Sequence, residues 1–161
     1  MKQKILRLLL LFLFLSPLCF LLIETGCNDD KIELPPLKDK TLTVIETNST
    51  GCKESLKSSE TEQYIELKAE GENQLRIKFI NATINCAGLD TTLAIINNGI
   101  LKVTFIDYIL ANCYCDFDLE CVIDSMEQRK YTAQVLVTDE VFTFTFDYSK
   151  SLNSRIEISP N

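Results

Sequence analysis

Val141-Phe142-Thr143-Phe144-Thr145-Phe146-Asp147-Tyr148 alternates bulky apolar and polar side chains without a break. Successive side chains of an extended chain point to opposite faces. This stretch therefore reads as a β-strand with Phe142, Phe144, Phe146 and Tyr148 turned to a core and Thr143, Thr145 and Asp147 turned to water. Tyr131 to Thr138 repeats the pattern upstream, and the turn between the two strands is expected near Asp139-Glu140. The strongest turn signal is Asn98-Gly99, because a two-residue primed turn needs positive φ and these residues tolerate it. The hairpin it closes is expected to bury Leu93 and Ile95 with Leu101, Val103 and Phe105.

The same period of two, rich in Val, Ile, Thr, Phe and Tyr, marks strands at Leu42 to Glu46, Gln63 to Lys68, Leu75 to Cys86, Thr92 to Ile96, Leu101 to Tyr108, Leu119 to Ser125 and Arg155 to Ser159. No stretch has helical spacing. The expected fold is all-β: an antiparallel, immunoglobulin-like β-sandwich of about eight or nine strands, with a small β-barrel as the alternative. Leu75 to Cys86 carries a defect of parity. Leu75, Ile77 and Phe79 share one face, whereas Ile80, Ala82, Ile84 and Cys86 share the other. Either a bulge near Phe79-Ile80 switches the faces, or the strand is buried on both sides at its centre.

Ahead of the strands lie a charged tip, Met1 to Arg7, an apolar run, Leu8 to Ile23, and then Glu24-Thr25-Gly26-Cys27. That order is an export signal. The apolar run falls just short of the roughly 17 to 25 residues that span a bilayer, and an uncleaved anchor is the alternative. Thr25-Gly26-Cys27 resembles the end of a bacterial lipoprotein signal, although Glu24 stands where that family usually has Leu. Cys19 fits worse, because bulky Leu18 precedes it. The resemblance implies cleavage before Cys27 and lipid on its sulfur. Asn28-Asp29-Asp30 is similar to the surface-export tag of lipoproteins from Bacteroidetes, which implies an outer-membrane protein displayed on the cell, with the periplasmic face as the alternative. The chain then divides into a signal (1–26), a tether stiffened by Pro35-Pro36 (27–40) and a single sandwich domain (41–161).

The 161 residues include 16 basic and 23 acidic side chains, no histidine and no tryptophan. Removing residues 1–26 takes away Lys2, Lys4, Arg7 and Glu24, leaving 13 basic and 22 acidic residues and a formal charge of -9. Such a surface repels phosphate backbones, so nucleic acid is not an expected partner. Without histidine there is no imidazole base and no Ser-His or Cys-His pair. No cofactor is called for. The missing tryptophan removes the preferred platform for sugar stacking. Tyr108, Tyr114 and Tyr131 could replace it or could be aromatics at the edge of the core.

Seven cysteines remain to be placed. In an exported protein spare thiols pair. With Cys19 removed and Cys27 carrying lipid, five are left. Cys121 shares the parity of Leu119 and Ile123, and is expected to be the free, buried thiol. Cys52, Cys86, Cys113 and Cys115 then make two disulfides. Cys113 and Cys115 are too constrained to bond each other in an extended chain, so one is expected to pair with Cys86 and the other with Cys52. A thiolate metal site from Cys86, Cys113, Cys115 and Cys121 is the rival, but it lacks Cys-x-x-Cys spacing.

Asn85-Cys86-Ala87-Gly88 and Cys113-Tyr114-Cys115-Asp116-Phe117-Asp118-Leu119 resemble elements of a family of small exported proteins from Bacteroidetes. The resemblance implies location and a β-sandwich without implying a reaction. Asp116, Asp118 and Glu120 project from one strand face and form a weak calcium candidate; the plainer reading is a solvated outer face that contributes little to stability. Asp90-Thr91-Thr92 and Asp124-Ser125-Met126 resemble the Asp-Ser/Thr-apolar acceptor of bacterial O-glycosylation, making Thr91 and Ser125 candidate sites. The function expected is a lipid-anchored envelope module that binds a protein or a glycan; the alternative is a carboxylate-dependent envelope enzyme acting on glycans. Cys27→Ser is predicted to release the protein from the membrane fraction, whereas continued attachment with residues 1–26 intact would favour the uncleaved anchor.

Overall fold

The computed structural model describes residues 35–53, 62–108 and 111–158. The signal segment, Cys27 and the tether as far as residue 34 lie outside them. The described residues form ten strands: β1 (Lys40–Leu42), β2 (Val44–Ser49), β3 (Tyr64–Glu70), β4 (Gln74–Asn85), β5 (Leu89–Asn97), β6 (Ile100–Asp107), β7 (Tyr114–Ile123), β8 (Arg129–Val137), β9 (Glu140–Tyr148) and β10 (Asn153–Glu157). All belong to one unit, Leu34–Asn161. They build two five-stranded sheets, ordered β1-β5-β6-β8-β9 and β10-β3-β4-β7-β2. The fold is an all-β sandwich, and neither sheet closes into a barrel.

The pairing is antiparallel with one exception, β6 beside β8, which is parallel. Its cause is the chain's path. After β6 the chain crosses to the other sheet, runs along it as β7 and returns as β8, so β8 re-enters in the direction of β6. The expected single strand at Leu42 to Glu46 is also two. Leu42 pairs with Ala94 in the first sheet and Val44 with Ile123 in the second, so the chain changes sheets at Thr43.

Between the sheets lies the core. Ile65, Leu67, Leu75, Ile77, Phe79 and Leu119 from one inner face meet Leu101, Val103, Phe105, Ala133 and Val135 from the other, all essentially inaccessible to water. Each such large side chain contributes about 1.5 to 3 kcal/mol by leaving water. Tyr131 stacks on Phe146 with ring centroids 5.5 Å apart, and its hydroxyl accepts a hydrogen bond from the Glu127 amide. Tyr131 is thus a core residue rather than an exposed platform. The alternation read along β9 holds, with Phe146 and Tyr148 buried and Thr143, Thr145 and Asp147 exposed.

The Asn98-Gly99 turn forms as expected, with φ of 50° and 76°, and Leu101, Val103 and Phe105 are buried as expected, but the face of β5 is reversed. Ile96 pairs with Leu101 and Ala94 with Val103, so residues sharing a face have opposite parity on the two strands. Leu93 and Ile95 therefore point outward, 54% and 37% exposed, and Thr92, Ala94 and Ile96 point inward. The two-residue turn sets the register, and once Leu101, Val103 and Phe105 face the core the odd residues of β5 cannot. One cost is visible: the buried Thr92 hydroxyl has no hydrogen-bond partner. The second hairpin turns at Thr138-Asp139, one residue earlier than expected, because Val137 pairs with Glu140.

The end of the tether is not free of the domain. Arg129 donates to the Pro35 carbonyl at 2.8 Å, Asp39 accepts from the Asn98 amide at 2.7 Å, and Leu37 packs on the core. The observed register predicts that Leu93→Thr changes stability by no more than about 0.5 kcal/mol, whereas Leu101→Ala costs about 2 to 5 kcal/mol. Urea denaturation of the two variants checks this; equal losses would mean that Leu93 faces the core.

Candidate functional site

The parity defect in β4 is a bulge. Phe79 pairs with Leu119 and Ala82 with Phe117, so Ile80 and Asn81 together stand opposite Asp118. The bulge puts Leu75, Ile77 and Phe79 on the inner face before it, and Ala82 and Ile84 on that same face after it. Asn81 takes the extra turn at φ 58°, a left-handed conformation that asparagine tolerates better than most residues. Its groups are fully engaged. The amide donates to Asp118 Oδ1 at 3.1 Å, Oδ1 accepts from Lys53 Nζ at 2.6 Å, and Nδ2 donates to the Glu62 carbonyl at 2.9 Å. Lys53 Nζ also meets Asp118 Oδ1 at 2.5 Å, and the Asp118 amide donates to Thr50 Oγ1 at 2.9 Å.

The row Asp116, Asp118, Glu120 lies on the outer face of β7, as its parity requires, and each carboxylate has a partner across a neighbouring strand. Asp116 accepts from Thr83 Oγ1 at 2.8 Å, Asp118 from Lys53 and the Asn81 amide, and Glu120 from Arg76. Arg76 bridges further to Glu70 at 2.8 Å and to Glu46 at 3.2 Å. The Arg76 guanidinium holds the Glu70 carboxyl below its ordinary range. A carboxyl depressed on folding stabilises the fold above its unfolded pKa, and that contribution is lost as pH falls through the lower, folded value. The row thus binds β7 to its neighbours through ion pairs at Asp118 and Glu120 and a hydrogen bond at Asp116, and is more tightly engaged than a merely solvated face.

At the end of β4 and the start of β7 the cysteines gather. Disulfides join Cys86 to Cys113 and Cys52 to Cys115, with Cα atoms 5.6 and 5.7 Å apart. Cys86 pairs with Cys113 because the two continue the β4–β7 ladder, where the Cys86 amide donates to the Cys113 carbonyl. The bulge matters here too. It returns Cys86 to the face that Cys113 and Cys115 share. The Sγ atoms of Cys52, Cys86 and Cys115 all lie within 4.8 Å of one another. Cys121 is free and wholly buried. Burial pushes its thiol up to about 12, which keeps it protonated and inert. Cys121 lies in the core apart from Cys86 and Cys115, so the four-thiolate set of Cys86, Cys113, Cys115 and Cys121 does not assemble.

Asn85 secures this end. It is buried, its Oδ1 accepts from the amides of Ala87 and Ala111, and its Nδ2 donates to the Ala111 carbonyl at 2.6 Å. Its side chain thereby ties the two segments that flank Cys86–Cys113. Gly88 closes the turn at φ 88°, where a side chain would strain the backbone.

Beside the disulfides a groove of about 360 Å³ opens at the end of the sandwich, lined by Phe79, Thr83, Tyr114, Asp139, Glu140 and Phe142 among others. Phe79 and Phe142 meet edge to face at 5.1 Å, while Tyr114, between the bridged Cys113 and Cys115 at the start of β7, is 62% exposed. Asp139 and Glu140 stand on consecutive residues at one rim. Tyr108 is also exposed, and the Asp90 carboxylate beside its hydroxyl raises its ionisation above the ordinary value. Thr91 lies exposed on β5, and Ser125 lies exposed between β7 and β8 at φ 64°. Both O-glycosylation candidates are therefore accessible.

The groove eluded sequence reasoning because its residues come from β4, β7, β8 and β9, which only the topology brings together. The bulge had left a signal, the parity switch followed by an asparagine. No protein-family model, curated protein or solved structure matches the chain. Asp118→Ala is predicted to cost about 1 to 3 kcal/mol, because it orphans the part-buried Lys53 and the Asn81 amide. Asp116→Asn should cost well under that. Chemical denaturation decides it, and an unchanged midpoint for Asp118→Ala would deny the carboxylate its role at the bulge.

Proposed function

We propose that this is a lipid-anchored protein of the cell envelope whose sandwich acts as a binding module, held to the outer membrane through Cys27 and displayed at the surface. The two disulfides support an oxidising, extracytoplasmic address. The observation that carries the binding reading is the groove, where the exposed ring of Tyr114 and the half-buried ring of Phe142 share a lining with Asp139 and Glu140. Aromatic faces with adjacent acids suit a cationic side chain, through cation–π attraction and charge pairing. The formal charge of -9 left after residues 1–26 are removed adds a field of the right sign. The ligand is accordingly a segment of a partner protein that presents Lys or Arg.

A second reading, glycan hydrolysis, draws on the same two carboxylates. Hydrolysis needs them on opposite sides of the scissile bond, and here they occupy consecutive positions at one rim. An arginine-containing peptide titrated into isotope-labelled protein is predicted to shift the amides of Tyr114 and Glu140. Tyr114→Ala should weaken that binding about tenfold, near the 1.4 kcal/mol of one cation–π contact. Release of sugars from an envelope polysaccharide, abolished by Asp139→Asn or Glu140→Gln, would replace the binding module with an enzyme.

A further inference from the structure

The two disulfides are neighbours in space, and their burial is unequal. Cys52 and Cys113 are exposed, while Cys86 and Cys115 are partly covered. The Cys86 sulfur lies within 4.8 Å of both Cys52 Sγ and Cys115 Sγ, the two atoms of the other bond. Two purely structural bridges have no need of this proximity. A thiolate released from one bridge, however, begins within a small side-chain rotation of the other.

We propose that the four cysteines form a thiol–disulfide exchange centre that accepts reducing equivalents from a dithiol and passes the remaining bond inward. A thiolate of the dithiol attacks the exposed Cys52 Sγ, forming a mixed disulfide and expelling Cys115 as thiolate. Cys115 attacks Cys86 Sγ; a Cys86–Cys115 bond forms, the Cys86–Cys113 bond breaks, and Cys113 leaves as thiolate to take up a proton from water. The second thiol of the dithiol then attacks the mixed disulfide, leaving Cys52 as a thiol and the dithiol as its disulfide. Two electrons and two protons have moved from the dithiol to the protein, which ends with one bridge, Cys86–Cys115, and two exposed thiols, Cys52 and Cys113. The product joins diagonal neighbours: Cys115 pairs with Ile84, two residues before Cys86 and on the same face, and since such neighbours stand roughly 7 to 8 Å apart, the segment just after β4 must shift toward Cys115 for the new bridge to close. Cys121, buried and protonated, takes no part.

The exchange step is testable without any reductant. In the full chain carrying Cys52→Ser, Cys115 is a thiol from the start, and the centre should distribute one bridge between Cys86–Cys113 and Cys86–Cys115. Alkylation at neutral pH, with fragmentation of the peptide that carries both Cys113 and Cys115, is expected to find at least roughly one tenth of the label on Cys113. Label confined to Cys115 would overturn the proposal. The wild-type chain treated with one equivalent of dithiothreitol gives an independent check, in which a Cys86–Cys115-linked peptide is expected. Recovery of intact Cys86–Cys113 together with free Cys52 and Cys115 would overturn it equally, as would uptake of one zinc ion by the reduced chain with no exchanged bridge, which would make the cluster a thiolate metal site.

Discussion

The carboxylate of Asp118 sits where β4 gains its extra residue, accepting from the Asn81 amide on one side and from Lys53 on the other. A bulge leaves a backbone group without its ladder partner, and a buried, unsatisfied amide costs as much as a lost hydrogen bond. Asp118 supplies the acceptor and Asn81 supplies a residue that can adopt positive φ. The consequence reaches both ends of the strand. Before the bulge the odd residues Leu75, Ile77 and Phe79 fill the core; after it the even residues Ala82 and Ile84 do. Without the switch Cys86 would face outward, and its bridge to Cys113 on the inner parity of β7 could not close.

The sandwich divides its labour between its two outer faces. The outer face of the β4–β7 sheet is crossed by Arg76 and Lys53, which link β2, β3, β4 and β7 through Glu46, Glu70, Glu120 and Asp118. Partly shielded pairs of this kind add orientation as well as energy, since Arg76 engages several carboxylates with a planar fork. The outer face of the other sheet shows Leu93, Ile95 and Val141 beside threonines and little charge. At the end of the molecule the bridges and the groove meet, with Tyr114 lying between the bridged Cys113 and Cys115 and lining the groove.

Most of the β-strands could be read from side-chain alternation because burial of one sheet face imposes a period of two directly on the residues. Phe142 to Tyr148 is the clearest instance. The roles of Cys52, Cys86, Cys113, Cys115 and Cys121 were legible for a related reason: Cys121 sits on the inward parity among the apolar Leu119, Val122 and Ile123, which marks it as a core thiol, and an extended Cys113-Tyr114-Cys115 forbids the short bridge. Register was harder. Leu93 and Ile95 look like core residues on hydrophobicity alone, and only the geometry of a two-residue turn, which couples opposite parities, puts Ala94 and Ile96 inside. The parallel β6–β8 pair and the change of sheet at Thr43 left no mark, because alternation records which face is buried and not which strand lies alongside. The groove and the Lys53–Asn81–Asp118 cluster join residues far apart in the chain, and single-residue chemistry gives no warning of such meetings.

The direct test of this account is the register of β4 against β7 in solution, read from cross-strand nuclear Overhauser contacts between backbone protons. The account predicts contacts for Phe79 with Leu119 and for Ala82 with Phe117, with Ile80 and Asn81 together opposite Asp118. An unbroken ladder, in which Asn81 pairs with Phe117 and Ala82 with Asp116, would contradict it, since that register turns Cys86 away from Cys113 and removes the basis of both the disulfide end and the groove beside it.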